Sequence, residues 1–187
     1  MKFAQLAGTR LFYGFLLVTG LGWIWLSAAP QNSTTNGKIP APQSGFLAPD
    51  FNLKTLDGQN VRLSDFRGKV VLVNIWASWC TPCRAEMPAI ERVYQNYREQ
   101  GLIVLAVDST VQDTVSNVKA FVDENELSFP ILLDEGGLVT RLYRVQSLPN
   151  SFFIGADGVV REVVIGGPMA EALVSSRVEK LLQEIQR

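Results

Sequence analysis

The chain has 187 residues, 47% of them hydrophobic, with 17 basic against 18 acidic residues and no histidine. That length suits one domain of ~100 to 200 residues with a short segment in addition. A near-neutral balance without a basic stripe argues against a nucleic-acid binder, and two cysteines without histidine fall short of the about four ligands of a zinc knuckle.

Residues Leu11 to Ala29 carry no charge, and about nineteen residues at ~1.5 Å each reach ~28 Å, close to the ~30 Å hydrocarbon core of a bilayer. Lys2 and Arg10 precede this run, and Lys38 is the only charge between it and Asp50. The positive-inside bias therefore places residues 1–10 in the cytoplasm and the remainder outside. A cleaved signal peptide is the competing reading, since Ser27-Ala28-Ala29 offers small residues for cleavage. Against it, the apolar run exceeds the usual ~7 to 15 residues, and Pro30 would directly follow the cut. Residues 11–29 are accordingly expected to form a single transmembrane anchor.

Residues 30–45, rich in Gln, Asn, Ser, Thr, Gly and Pro, read as a flexible linker with an end-to-end distance of ~20 to 24 Å. Residues 46–187 then form the folded domain. Setting aside Lys2, Arg10 and Lys38 leaves 14 basic against 18 acidic residues in it, a net charge of about −4. A domain of that charge has no electrostatic attraction to anionic lipid.

From Ala48, apolar and polar residues alternate about Asp57-Gly58, which predicts a β-hairpin. Ser64 to Gly68 turns the chain into an apolar strand, Lys69 to Trp76. Cys80 and Cys83 stand where that run gives way to helical spacing. A cysteine in the first turn of a helix meets unpaired backbone N–H groups and the positive end of the helix dipole, which lower its pKa below the ~8.5 of a free thiol. Cys80 is the predicted nucleophile. Cys83, one turn further on, can resolve a mixed disulfide at Cys80 by closing a Cys80-Cys83 bridge. Two other uses of the pair stay open: a structural bridge, which over so short a loop removes little chain entropy, and copper(I) carriage with Met87 as a soft third ligand.

Glu86 lies one turn beyond Cys83, so a carboxylate drawn out of water there can exchange protons with a thiol. The alternative is a solvated glutamate beside Arg84. Trp79 is expected to form an apolar contact rim with Pro82 and Leu148, and Trp76 to belong to the core. Met87, Ile90, Val93, Tyr94 and Tyr97 mark the buried face of the helix, Pro88 interrupts its backbone hydrogen bonds and Gly101 ends it.

Leu102 to Val107 reads as a strand buried on both faces. A helix about Asp113 to Asn125 is expected to turn Val115, Val118 and Val122 inward, followed by a short strand Ile131 to Leu133 and a short helix about Gly137 to Tyr143. Asp157-Gly158 joins Phe152 to Ile154 and Val159 to Ile165 in a second hairpin. Gly166-Gly167 reads as a turn rather than as room at the site. The last helix, about Met169 to Gln186, points Val174, Val178, Leu181, Leu182 and Ile185 at the sheet.

Asn74, Trp76, Ala77, Trp79, Cys80, Cys83, Glu86 and Pro88 fill every fixed place of Asn-x-Trp-Ala-x-Trp-Cys-x-x-Cys-x-x-Glu-x-Pro. In these residues the chain resembles the thioredoxin superfamily, and within it the membrane-anchored extracytoplasmic thiol-disulfide oxidoreductases of the ResA, TlpA and CcmG (DsbE) type. The opening hairpin is also similar to that of redoxin and peroxiredoxin relatives. The resemblance implies an α/β thioredoxin-like fold with an N-terminal β-hairpin and a central strand-helix insertion, preceded by one transmembrane helix. It implies that Pro149 is cis, with the backbone of Leu148 free to pair with an extended substrate segment, and that Glu86 belongs to the active site. Asn74 departs from cytosolic thioredoxins, which place a buried aspartate there as proton relay.

Thr81-Pro82 supplies no histidine to hold a thiolate as in the oxidant DsbA, which favours reduction over oxidation. The implied partners are extracytoplasmic disulfide-containing proteins such as apocytochrome c or copper-delivery proteins, and a membrane dithiol donor of the CcdA/DsbD type; no cofactor or metal is implied. A thiol peroxidase would need Pro-x-x-x-Thr/Ser-x-x-Cys. The corresponding positions are Val73 and Ala77 for Cys80, and Trp76 and Cys80 for Cys83.

Overall fold

The computed structural model describes residues 39–185. The predicted cytoplasmic segment 1–10, the anchor 11–29 and most of the linker 30–45 lie outside the described residues. Among the described residues no helix is long and apolar enough to cross a membrane.

The chain runs β1 (Asn52–Thr55), β2 (Asn60–Arg62), β3 (Val70–Trp76), α1 (Thr81–Tyr97), β4 (Leu102–Asp108), α2 (Val115–Glu124), β5 (Ile131–Leu133), α3 (Leu138–Leu142), β6 (Asn150–Ile154), β7 (Val160–Ile165) and α4 (Glu171–Ile185). The strands form one seven-stranded sheet in the order β2-β1-β5-β4-β3-β6-β7. β3 pairs in parallel with β4 on one side and antiparallel with β6 on the other. This is a thioredoxin-like α/β fold, with the β1-β2 hairpin at one edge and α2-β5 inserted between β4 and the second half.

The period of two along a strand sorts the core into two layers. Val70, Leu72 and Trp76 of β3 and Val104 and Ala106 of β4 pack with α1, α2 and α4. Val71, Val73, Ile75, Leu105 and Val107 face the other way, with Phe51, Leu63 and Val139. β3 is buried along its whole length because both layers cover it. By this alternation Asn74 falls on the α1 side, the only polar residue of its strand.

Two predicted core positions differ. Val115 is exposed, because Thr114 caps the helix and leaves Val115 as its first residue; Phe121 fills the inward place beside Val118 and packs on Trp76 with ring centroids 5.2 Å apart. Ile185 is also exposed, being the last residue of α4, beyond buried Leu181 and Leu182. α1 continues through Pro88 to Tyr97, and Gly101, at φ 105°, closes the short 3-10 turn Arg98–Gln100 that follows.

Candidate active site

β3 ends at Trp76, and four residues later Cys80 caps α1, with Pro82 in the first turn, where its missing N–H costs nothing. Cys80 and Cys83 are joined by a disulfide, with Cα atoms 5.2 Å apart. The Cys80 sulfur also accepts the backbone N–H of Cys83 at 3.3 Å. A charge on that sulfur is therefore met by a backbone donor and by the helix dipole. Cys83 is fully buried while Cys80 keeps 4% of its surface exposed, so an incoming group reaches Cys80 first.

The loop before the dithiol is held from outside. Asp113 accepts the Ser78 backbone N–H at 2.6 Å and the Ser78 hydroxyl at 2.9 Å. Trp79, 55% exposed, donates its indole N–H to the carbonyl of Gln112 at 2.8 Å. Trp79 and Leu148 both line a cleft whose walls also include Ser109, Gln112, Val145 and Ser147. Pro82, half-buried, does not line that cleft.

Glu86 is wholly buried. Asn74 Nδ2 donates to its Oε1 at 2.8 Å and the Met169 N–H to its Oε2 at 3.0 Å. Burial raises its pKa above the usual carboxylate value despite both donors. The solvated alternative fails on this geometry: Arg84 turns away from Glu86, to the Ser78 carbonyl, the Phe121 ring and Glu124. Asn74 spends its second amide hydrogen on Ser151 Oγ at 2.8 Å.

The Leu148-Pro149 peptide is cis, as is Gly167-Pro168. Pro149 is buried, Leu148 half-buried, and the Gly166 N–H donates to the Pro149 carbonyl at 2.8 Å. The expectation that Gly166-Gly167 serves only as a turn holds for Gly166, at φ 83° with open space around it. It fails for Gly167, where a Cβ would lie 2.6 Å from Glu86 Oε2 and 2.9 Å from Pro149 Cγ.

A second buried carboxylate, Asp108, ends β4 opposite Trp76. Its Oδ1 accepts the Thr110 hydroxyl at 2.8 Å, and its Oδ2 has no partner among the described residues. Desolvation first, then the nearby carboxylates Asp113 and Asp134, push its pKa up to about 7. No group of three or more His, Cys, Asp or Glu able to hold a metal occurs among the described residues, and Met87 is buried in the core. Sequence reasoning does not find Asp113, Gln112, Ser151 or the Met169 N–H; of these only Ser151 carries a signal, as one of two polar residues, with Asn150, that open an otherwise apolar strand.

The AhpC/TSA family matches residues 45–163. The thiol-disulfide oxidoreductase ResA of Oceanobacillus iheyensis is 40% identical over 145 residues, 75% of this chain and 72% of its own length. A Chlorobium tepidum structure described as a thiol:disulfide interchange protein DsbE has a TM-score of 0.69 and 32% identity, covering 75% of this chain and 98% of that one. A secreted Mycobacterium tuberculosis disulfide oxidoreductase homologous to DsbE has a TM-score of 0.64 and 27% identity, covering 70% and 96%.

Proposed function

The chain belongs to the AhpC/TSA family and is a thiol-disulfide oxidoreductase of the ResA and DsbE type, and from this premise we propose that it reduces disulfides in partner proteins outside the cytoplasm. The observation that carries the reading is Cys80 at the N-cap of α1, its sulfur met by the Cys83 N–H.

In the reduced protein, Cys80 thiolate attacks one sulfur of a partner disulfide, forming a mixed disulfide and releasing the partner's other sulfur as thiolate, which takes up a proton. Cys83, deprotonated, then attacks the Cys80 sulfur and displaces the partner's second thiol. Closing the Cys80-Cys83 bond oxidises the dithiol by two electrons, which the partner's two new thiols carry together with two protons. Glu86, buried one turn beyond Cys83, exchanges the proton that Cys83 gives up. Trp79, Pro82 and Leu148 form the contact surface, and the backbone at Leu148-Pro149 pairs with the extended partner segment.

Residues 11–29 anchor the chain in the cell membrane in a single pass, and residues 30–45 tether the domain on the extracytoplasmic side. The secreted M. tuberculosis relative supports that side. The substrates that fit are haem-site cysteines of apocytochrome c or copper-delivery proteins, with a membrane dithiol carrier of the CcdA/DsbD type restoring the dithiol. Expression of Cys80→Ser and Cys83→Ser chains in native membranes tests the roles. Cys80→Ser should lose all reduction, and Cys83→Ser should accumulate partners as mixed disulfides. Equal trapping by both would refute the assignment.

A further inference from the structure

We propose that Gly167 is a positioning residue for Glu86: only the absence of a side chain at 167 lets the carboxylate rest between the Met169 N–H and the Asn74 amide beside Pro149. The inference deepens the role proposed above for Glu86 and rests on it.

Gly167 follows the end of β7, on a segment that crosses over both features of the site. Its neighbour Gly166 donates to the Pro149 carbonyl at 2.8 Å, and two residues on, Met169 donates to Glu86 Oε2 at 3.0 Å. These two hydrogen bonds tie the segment to the site on both sides of Gly167. A Cβ at 167 would stand 2.6 Å from Glu86 Oε2 and 2.9 Å from Pro149 Cγ, distances that real Cβ atoms do not show. Pro149 is buried and followed directly by β6, so it cannot retreat. The carboxylate or the 167–169 segment must move, and either motion parts Glu86 Oε2 from the Met169 N–H.

That parting has a chemical consequence. The groups facing Glu86 are the Asn74 amide from β3, the Met169 N–H and Pro149, with Cys83 one turn before it on α1; in the disulfide form no charged side chain among the described residues contributes to its shift. Arg84, on its own helix, is turned to Glu124. Asn74 and Met169 are therefore the two donors that favour the ionised form, against a desolvation that favours the neutral one. Losing Met169 leaves desolvation less opposed, and the carboxyl holds its proton to higher pH.

The test is a side-chain 13C NMR titration of Glu86 in the reduced, full-length chain in detergent, for wild type, Gly167→Ala, Glu86→Asp and the double variant. Gly167→Ala should raise the Glu86 midpoint by about one pH unit, the worth of one hydrogen bond to a charged group. In the Glu86→Asp background, whose carboxylate ends one methylene short of the clash, adding Gly167→Ala should move the midpoint little. Gly166→Ala, strained at φ 83° but meeting no atom, controls for backbone strain and should leave the Glu86 midpoint in place. An unmoved or lowered midpoint in Gly167→Ala, or an equal shift in both backgrounds, overturns the inference. The proposed proton exchange is tested separately, by the pH profile of disulfide reduction in Glu86→Gln. An unchanged profile there removes Glu86 from the reaction, while the NMR titration still decides what Gly167 does.

Discussion

Asn74 Nδ2 donates to Glu86 Oε1 at 2.8 Å, and this bond joins the middle of β3 to α1 entirely out of water. A neutral amide holds the carboxylate without adding charge. Asn74→Asp would set two carboxylates against each other in a dry site, where they cannot both ionise, so one keeps its proton well above its ordinary pKa. A folded-state pKa above the unfolded one leaves stability intact in acid and removes it as pH rises through neutrality. Urea unfolding should therefore find Asn74→Asp weaker than wild type by about 2 to 4 kcal/mol at pH 8 and much closer to it at pH 4.5. An equal loss at both pH values would mean that packing, not charge, dominates.

Asp108 gives the opposite case, a carboxyl the wild-type fold already disfavours. Its pKa near 7 lies above the ordinary 3.8, chiefly through desolvation. The sign is the same as before: the native state binds the extra proton, so wild-type stability declines between about pH 4 and pH 7 and levels above. Asp108→Asn keeps the acceptor for Thr110 and replaces an unpartnered oxygen by an amide that faces the carboxylates of Asp113 and Asp134. The variant should be the more stable protein at pH 8, by an amount on the order of 1 to 3 kcal/mol, with the gain vanishing near pH 4. Parallel pH-stability curves for the two proteins would contradict this.

The difference between what the chain announces and what it hides has a physical cause. The strands β3 and β4, the face of α1 and both hairpins follow from local periodicity and turn residues, which are properties of neighbours in sequence. The dithiol at the start of α1 is equally local. The same periodicity points Val115 and Ile185 inward, yet helix ends extend beyond what covers their middles. Glu86 is the instructive residue. Its helical position is compatible with solvent, and only the arrival of Asn74 from twelve residues before and Met169 from 83 residues after makes it a buried acid. The grip of Asp113 on Ser78 spans 35 residues and depends on the parallel pairing that brings the end of β4 beside the end of β3.

That grip should be measurable. Ser78 is buried, and Asp113 satisfies both its backbone N–H and its hydroxyl while also accepting the Thr114 N–H at 2.7 Å. Asp113→Ala leaves those donors without a partner, at about 1 to 3 kcal/mol, which in a domain of this size lowers Tm by several degrees. Asp113→Asn retains one acceptor oxygen and should lose less. Because the clamp lies two residues before Cys80, hydrogen exchange of the Ser78 and Trp79 amides should speed up in Asp113→Ala even at temperatures where the fold is intact. Unchanged exchange there would show that the loop is held by its own turn and not by Asp113.

Trp79 separates docking from chemistry. Its ring is more than half exposed, so its removal takes little from the core, and its indole N–H is pinned to Gln112, so the ring is already oriented before a partner arrives. A pre-ordered aromatic at the mouth of a cleft contributes to association because little side-chain freedom remains to be lost. Trp79→Ala should change the unfolding free energy by no more than about 1 kcal/mol. It should lower kcat/KM for a disulfide-containing protein about tenfold or more, mostly through KM, while a small aromatic disulfide that touches only the sulfur is slowed far less. If both substrates are slowed equally, the indole acts on the reactivity of Cys80 itself, and the contact surface has to be sought further along the cleft, toward Val145 and Ser147.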